Sequence, residues 1–263
     1  VGNYGDFMMD FQLVWLCVAA FTAGFVDSIV GGGGLIQLPA FMLVLPNQPL
    51  VNLLATNKLV SMTGTAVSAY RFSRQIPYIR SIIVPAMLGA FLASWTGAYV
   101  VTIISNEFLK PLFMILLFLV FLFTIRNRSF GLLSHESELK IPFWKPLIIG
   151  LILGFYDGFF GPGTGSFLII AFVGILGMTF VQGSAYAKMI NLTTNIAAIL
   201  LFSLKAQFLL KYALPMIVFN IGGALFGVRL ALLKGNEFVR GLLRMIILVT
   251  ILKLAHDIFQ KYF

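Results

Sequence analysis

Residues 12 to 45 form an apolar run that no single membrane helix can use: it is too long for one span, and Asp27 and four consecutive glycines, Gly31 to Gly34, interrupt it. As one straight helix the run would measure about 51 Å, against a hydrocarbon core of about 30 Å. Backbone freed from a helix at membrane depth is tolerated only where it faces protein or a water-filled cavity. The run therefore predicts a helix broken at the glycines, inside a protein built of many such helices. Composition agrees, since the 263 residues are 60% hydrophobic and 10% charged with a mean hydropathy of +0.99, where a soluble domain carries about 25% charged residues. The fold class is an all-α polytopic membrane protein.

Several other classes drop out. The single cysteine, Cys17, excludes an intrachain disulfide and a cysteine-based metal site. His135 lies in a polar linker and His256 near the end of the chain, so neither a metal nor a cofactor is expected. The first ten residues hold two Asp and no Lys or Arg, unlike a secretory signal. The four glycines follow no strand and precede no Gly-Lys-Ser or Gly-Lys-Thr, which excludes a nucleotide-binding loop. Much of the net charge of +9 sits in short loops, where it sets orientation in the bilayer and implies no nucleic-acid partner.

The chain also repeats itself, at the offset that separates Asp27 from Asp157. Gly24, Phe25, Asp27, Gly31 and Gly33 fall on Gly154, Phe155, Asp157, Gly161 and Gly163. Lys58 falls on Lys188, Pro85 on Pro215, and Asn106, Glu107 and Phe108 on Asn236, Glu237 and Phe238. Asp, Lys and Pro are scarce in this chain and coincide without an insertion, so shared composition does not account for the match. The reading is a duplication: a repeat over 1–125, a polar linker over 126–146 and a second repeat over 147–263.

Each repeat holds four hydrophobic segments, 12–45, 52–72, 79–103 and 108–125, then 147–176, 183–203, 209–233 and 239–259, or about eight transmembrane segments. Glu107 and Glu237 open the fourth helix of each repeat, where a carboxylate complements the helix dipole. With both termini cytoplasmic, Arg71, Arg74, Arg80, Arg126, Arg128, Lys140, Lys145, Lys205 and Lys211 occupy inner loops, while the turns near 46–51 and 178–182 hold no Lys or Arg. That satisfies the positive-inside rule. The alternative has the first segment of each repeat entering and leaving on one side, which inverts the second repeat and moves Lys205 and Lys211 outside. Inverted repeats are common in transporters.

The second repeat carries its own break, at Gly161, Pro162, Gly163 and Gly165. Paired breaks at matching places point to a transporter's binding site. New helix N-termini near Leu35 and Ser166 would present unpaired N–H groups and the positive end of a dipole, which favours a small anion. The candidate binding residues are therefore Gly31, Gly32, Gly33, Gly34, Gly161, Gly163, Thr164, Gly165 and Ser166. Close helix packing is the competing use of glycine.

Lys58 and Lys188 lie within helices, where a charge costs on the order of 2.5 to 3.5 kcal/mol. They either serve the anion or snorkel to the interface. Their neighbours Thr56, Asn57, Ser61 and Thr63, and Asn191, Thr193, Thr194 and Asn195, are uncharged donors that suit an oxyanion. Asp27 and Asp157 precede the breaks by four residues and are candidates for proton carriage, for pairing with the lysines, or for capping freed N–H groups.

The glycine motif of residues 23–39, its weaker repeat at 154–169, the Ala55-Thr56-Asn57-Lys58 helix start and the duplicated halves resemble the TauE/SafE family of sulfite and organosulfonate exporters. The resemblance runs from Ala23 to the last helix. It implies a secondary transporter of the bacterial inner membrane, not an enzyme, that moves small sulfur-containing anions, typically outward. Pro162 and Thr164 depart from the glycine pattern, and Ile169 stands where a proline is expected opposite Pro39, so the second half-site should differ in shape. Coupling to protons through Asp27 or Asp157, coupling to sodium, and uniport are all open. So are a passive anion channel and an intramembrane serine-type enzyme, the latter requiring Lys188 to pack against Ser166 as its base.

Overall fold

The computed structural model describes residues 3–109, 111–113, 115–116 and 141–262; most of the expected segment 108–125 and of the linker 126–146 lies outside them. Among the described residues every regular element is a helix: α1 (Asn3–Val30), α2 (Gly34–Val44), α3 (Leu50–Ser73), α4 (Arg80–Ile103), α5 (Trp144–Phe159), α6 (Thr164–Leu176), α7 (Phe180–Lys205) and α8 (Leu210–Tyr262). Gly235, at φ 67° and ψ −157°, divides α8 into two limbs.

Among the described residues four stretches are long and apolar enough to cross a membrane: Gln12–Val30, Arg80–Ile103, Phe180–Lys205 and Leu210–Gly235. The 24 residues of α3 match α4 in length, but Asn57, Lys58 and the polar residues that follow lower its hydropathy. The 11 residues of α2 and 13 of α6 reach only about 16 and 20 Å, too short to span the bilayer.

Hydrogen bonds at the two ends of α3 fix its course against α7. At one face Gln207 N donates to Asn52 Oδ1 (3.0 Å) and Leu209 N to Thr56 Oγ1 (3.0 Å). At the other, Ile79 N donates to Tyr186 Oη (2.6 Å) and Tyr78 Oη to the Ala185 carbonyl (3.1 Å). The start of α3 thus lies beside the end of α7 and its end beside the start of α7, so the two helices are antiparallel.

The remaining pairs follow the same inversion. Gly24 packs on Asn220 and Gly227 on Phe25, so α1 runs parallel to the first limb of α8. Gly150 on Ala86, Gly154 on Ala90 and Gly158 on Ser94 make α5 parallel to α4. In both cases a stripe of small residues lets backbones approach closely. The first helix of each repeat therefore packs on the third helix of the other, and equivalent helices of the two repeats point in opposite directions.

The broken segments fold back on themselves. Gly33 sits against Ala23 and Asp27 of α1, and Leu16, Cys17 and Ala20 of α1 share a buried cluster with Leu38, Phe41 and Leu45. Hence α2 returns to the face from which α1 set out, and α6 does the same from the opposite face. The expectation that each first segment crosses once, with eight crossings in all, gives way to the inverted alternative. Its physical reason is that the glycine break is tight enough to reverse the chain. Lys205 and Lys211 accordingly lie at the face of Asn52, opposite the face of Arg71, Arg74 and Arg80.

Candidate functional site

The tips of the two hairpins meet in the middle of the molecule. α1 ends at Gly31, whose φ of +69° suits only glycine and whose N–H closes on the Asp27 carbonyl at 2.9 Å. The last carbonyls of α1, orphaned by its ending, find donors from the second repeat: Ser184 Oγ to Ile29 O (2.8 Å), Ser166 Oγ to Val30 O (2.9 Å) and Ser166 N to Gly31 O (2.6 Å). The second break satisfies itself. Thr164 Oγ1 donates to Gly161 O and Tyr156 Oη to Pro162 O, both at 2.7 Å, while Gly161 and Gly163 hold φ of +93° and +85°. A Cβ on Gly165 would meet Gly31 Cα and Asn191 Nδ2, so the two breaks touch backbone to backbone.

Two ion pairs flank this crossing, and each joins one repeat to the other. Lys58 Nζ donates to Asp157 Oδ2 at 2.6 Å, with side chains 5% and 6% exposed. Lys188 Nζ donates to Asp27 Oδ2 at 2.8 Å, with side chains 0% and 22% exposed. The duplication maps each pair onto the other, and their four charges sum to zero. Asp27 has further partners, Gly33 N to Oδ1 and Thr65 Oγ1 to Oδ2, both at 3.4 Å.

Between the pairs lies a cavity of about 30 Å³, room for about two waters. Its walls include Gly31, Gly32, Gly33, Gly34, Asn57, Lys58, Gly161, Gly163, Thr164, Gly165 and Asn191 with Asp27 and Asp157. The structure thus brings together all the predicted site residues except two. Lys188 stands behind Asp27, and Ser166 is used as the stitch between the breaks.

Several finer expectations are corrected. The N–H groups of Leu35 and Ser166 are not free: Leu35 N donates to Gly32 O at 3.0 Å, and Ser166 N to Gly31 O. The lysines do not snorkel to the interface, because a carboxylate lies within reach of each. Thr56, Thr63, Thr193 and Thr194 spend their hydroxyls on carbonyls of their own helices, so they are not donors to the cavity. Ser166 Oγ donates to the Val30 and Gly31 carbonyls and Lys188 to Asp27, so the nucleophile and base that the enzyme reading requires are each engaged elsewhere.

Thr65 lines the cavity and was missed by the sequence reading. Two signals mark it: it stands one and two turns beyond Ser61 and Asn57 on one face of α3, and the duplication maps Ser61 and Thr65 onto Asn191 and Asn195. All four line the cavity.

Inverted helical hairpins that cross at a buried, charge-balanced polar cavity define a membrane transport protein. The chain belongs to the sulfite exporter TauE/SafE family, whose model matches residues 16–254. It is 35% identical to the probable membrane transporter protein YfcA of Escherichia coli K12 over 243 residues, 92% of this chain and 89% of that one. It is 32% identical to a probable membrane transporter protein of Haemophilus influenzae over 252 residues, 96% and 97% of the two chains. A probable membrane transporter protein, ORF9, of a Sinorhizobium species is 33% identical over 245 residues, 93% of each chain. No solved structure matches the chain.

Proposed function

We propose that the chain is a secondary transporter that exports small sulfur-containing anions, such as sulfite or organosulfonates, binding them where the two hairpin tips cross. The observation that carries this reading is the pair of exchanged ion pairs, Lys58 with Asp157 and Lys188 with Asp27, beside the cavity. Buried charges are kept in a membrane protein for transport pathways and proton relays. With all four groups ionised the site is neutral, so an incoming monoanion is uncompensated. Protonation of one carboxylate frees its lysine and leaves a net charge of +1, which the monoanion balances. Anion and proton then move together with no net charge, and Asp27 and Asp157 are the carboxylates placed to carry the proton.

The architecture that accompanies this function is two inverted repeats, each opening with a re-entrant hairpin. Arg71, Arg74 and Arg80 mark one face, which the positive-inside rule makes cytoplasmic. α1 and α2 then insert from the outer face of the inner membrane and α5 and α6 from the inner face. This replaces the expectation that the chain enters its first segment from the cytoplasm.

The test is flux in proteoliposomes with sulfite, sulfoacetate, taurine and sulfate, with and without a pH gradient. Saturable flux that responds to the gradient and is lost in Lys58→Ala and Lys188→Ala is the expected result. Flux unchanged in both variants would remove the lysines from the site.

A further inference from the structure

Two buried acceptors at the cavity have no partner. Asn57 and Asn191 line it, are 5% and 7% exposed, and their side-chain oxygens have no hydrogen-bond partner among the described residues. Buried polar side chains are normally paired, and an exception calls for a specific explanation. Their backbones are supplied: Gln37 Nε2 reaches the Asn57 carbonyl at 3.5 Å and Thr194 Oγ1 the Asn191 carbonyl at 3.0 Å.

A bare oxyanion cannot use these side-chain oxygens, because it brings acceptors alone and its natural partner in the cavity is the ammonium group of Lys58. A ligand with an O–H or N–H of its own supplies what the amide oxygens lack. A hydroxyl, both donor and acceptor, pairs with the amide in either orientation of its O and N, whereas a donor-free anion pairs with it in one only.

We infer that Asn57 and Asn191 determine specificity, selecting a small monoanion that carries its own hydrogen-bond donor, such as hydrogen sulfite or a hydroxyalkyl sulfonate, over donor-free anions. This rests on the anion reading of the site given above. The four balanced charges set the preference for a monoanion over a dianion such as sulfate. The unpaired amides set the preference for the donor.

The experiment compares isethionate with ethanesulfonate, which differ by one hydroxyl, as competing substrates in proteoliposomes of the full chain. A site built to pair a hydroxyl discriminates strongly against the analogue that lacks it, so a preference of at least about tenfold for isethionate is expected. Asn57→Leu and Asn191→Leu should each bring the ratio toward one. Glycolate against acetate repeats the comparison outside sulfur chemistry. Discrimination in the carboxylate pair without sulfonate flux would sink the sulfur reading and leave the donor reading standing. Ratios near one in both wild-type pairs, or an undiminished preference in both variants, overturn the donor reading. Where a variant fails to reconstitute, the wild-type ratios decide.

Discussion

Removing one member of the Lys58–Asp157 pair should be far more damaging than removing both. Both side chains are at least nine-tenths buried, and their charged atoms are 2.6 Å apart. Lys58→Met leaves an uncompensated carboxylate in the interior and Asp157→Asn an uncompensated ammonium. Stranding a charge in this way costs roughly 3 to 5 kcal/mol, whereas replacing a whole buried pair is often close to neutral. At 2 to 4 °C per kcal/mol for a chain of this size, each single change should lower the melting temperature by roughly 6 to 20 °C. The double variant should recover most of that loss.

The second pair makes the prediction sharper because its partners are unequally buried. Lys188 is 0% exposed and Asp27 22%. Lys188→Met strands a carboxylate that still accepts from Gly33 N and Thr65 Oγ1, whereas Asp27→Asn strands a wholly buried ammonium. Asp27→Asn should therefore be the costlier change. The assay is thermal unfolding of the detergent-purified protein for the four single and two double variants, read as double-mutant cycles. Doubles as unstable as the sum of their singles, or Lys188→Met costing more than Asp27→Asn, would refute the reasoning.

Gly31→Ala and Gly165→Ala should abolish accumulation of folded protein, since each Cβ enters the other hairpin's backbone, while Gly235→Ala, with open space around its Cβ, should cost only the backbone strain of its φ 67°, ψ −157° conformation, about 1 to 3 kcal/mol. Expression measured by fluorescence-detected gel filtration separates the two outcomes. In a Cys17→Ser background, Asn47→Cys and Gln207→Cys should react with a membrane-impermeant maleimide from one side of the membrane and Gln75→Cys from the other. Labelling of the first two from opposite sides would contradict the inverted repeats.

Much of the site was legible because it is written twice. Asp27, Lys58 and the glycines stand out against an apolar background, and each has a mate in the second repeat, so their burial together at the cavity was within reach of the sequence. The direction of the chain was not. The positive-inside count accommodates Lys205 and Lys211 on either face, because the arginines at 71, 74 and 80 dominate it. Hydropathy registers the combined length of α1 and α2 but not whether the chain continues or reverses at the break. What decides it is tertiary: Gly33 folding onto Ala23, and Gln207 and Tyr186 bonding at opposite ends of α3. The lysines' partners were legible only as one of several possibilities, since a carboxylate 99 residues away leaves no local trace.

The duplication conceals an inequality that bears on how the site opens. At the first hairpin Asn220 Nδ2 donates to Ala20 O (3.0 Å) and to Gln37 Oε1 (3.3 Å), tying α1 and α2 to α8. The positions that the offset assigns to Gln37 and Asn220 in the second arrangement are Phe167 and Ala90, which cannot form that link. There Tyr156 packs edge-on against Phe160 and Phe167, with ring centroids 5.6 Å apart in both cases, and its hydroxyl closes the break through Pro162. Shifting the first hairpin against α8 must therefore break directional hydrogen bonds, each worth about 0.5 to 1.5 kcal/mol. The second hairpin is braced internally by rings, and α5 packs on the small-residue stripe of α4. Chemically equivalent ion pairs are thus held by different supports, and their carboxylates are unequally exposed, 22% against 6%.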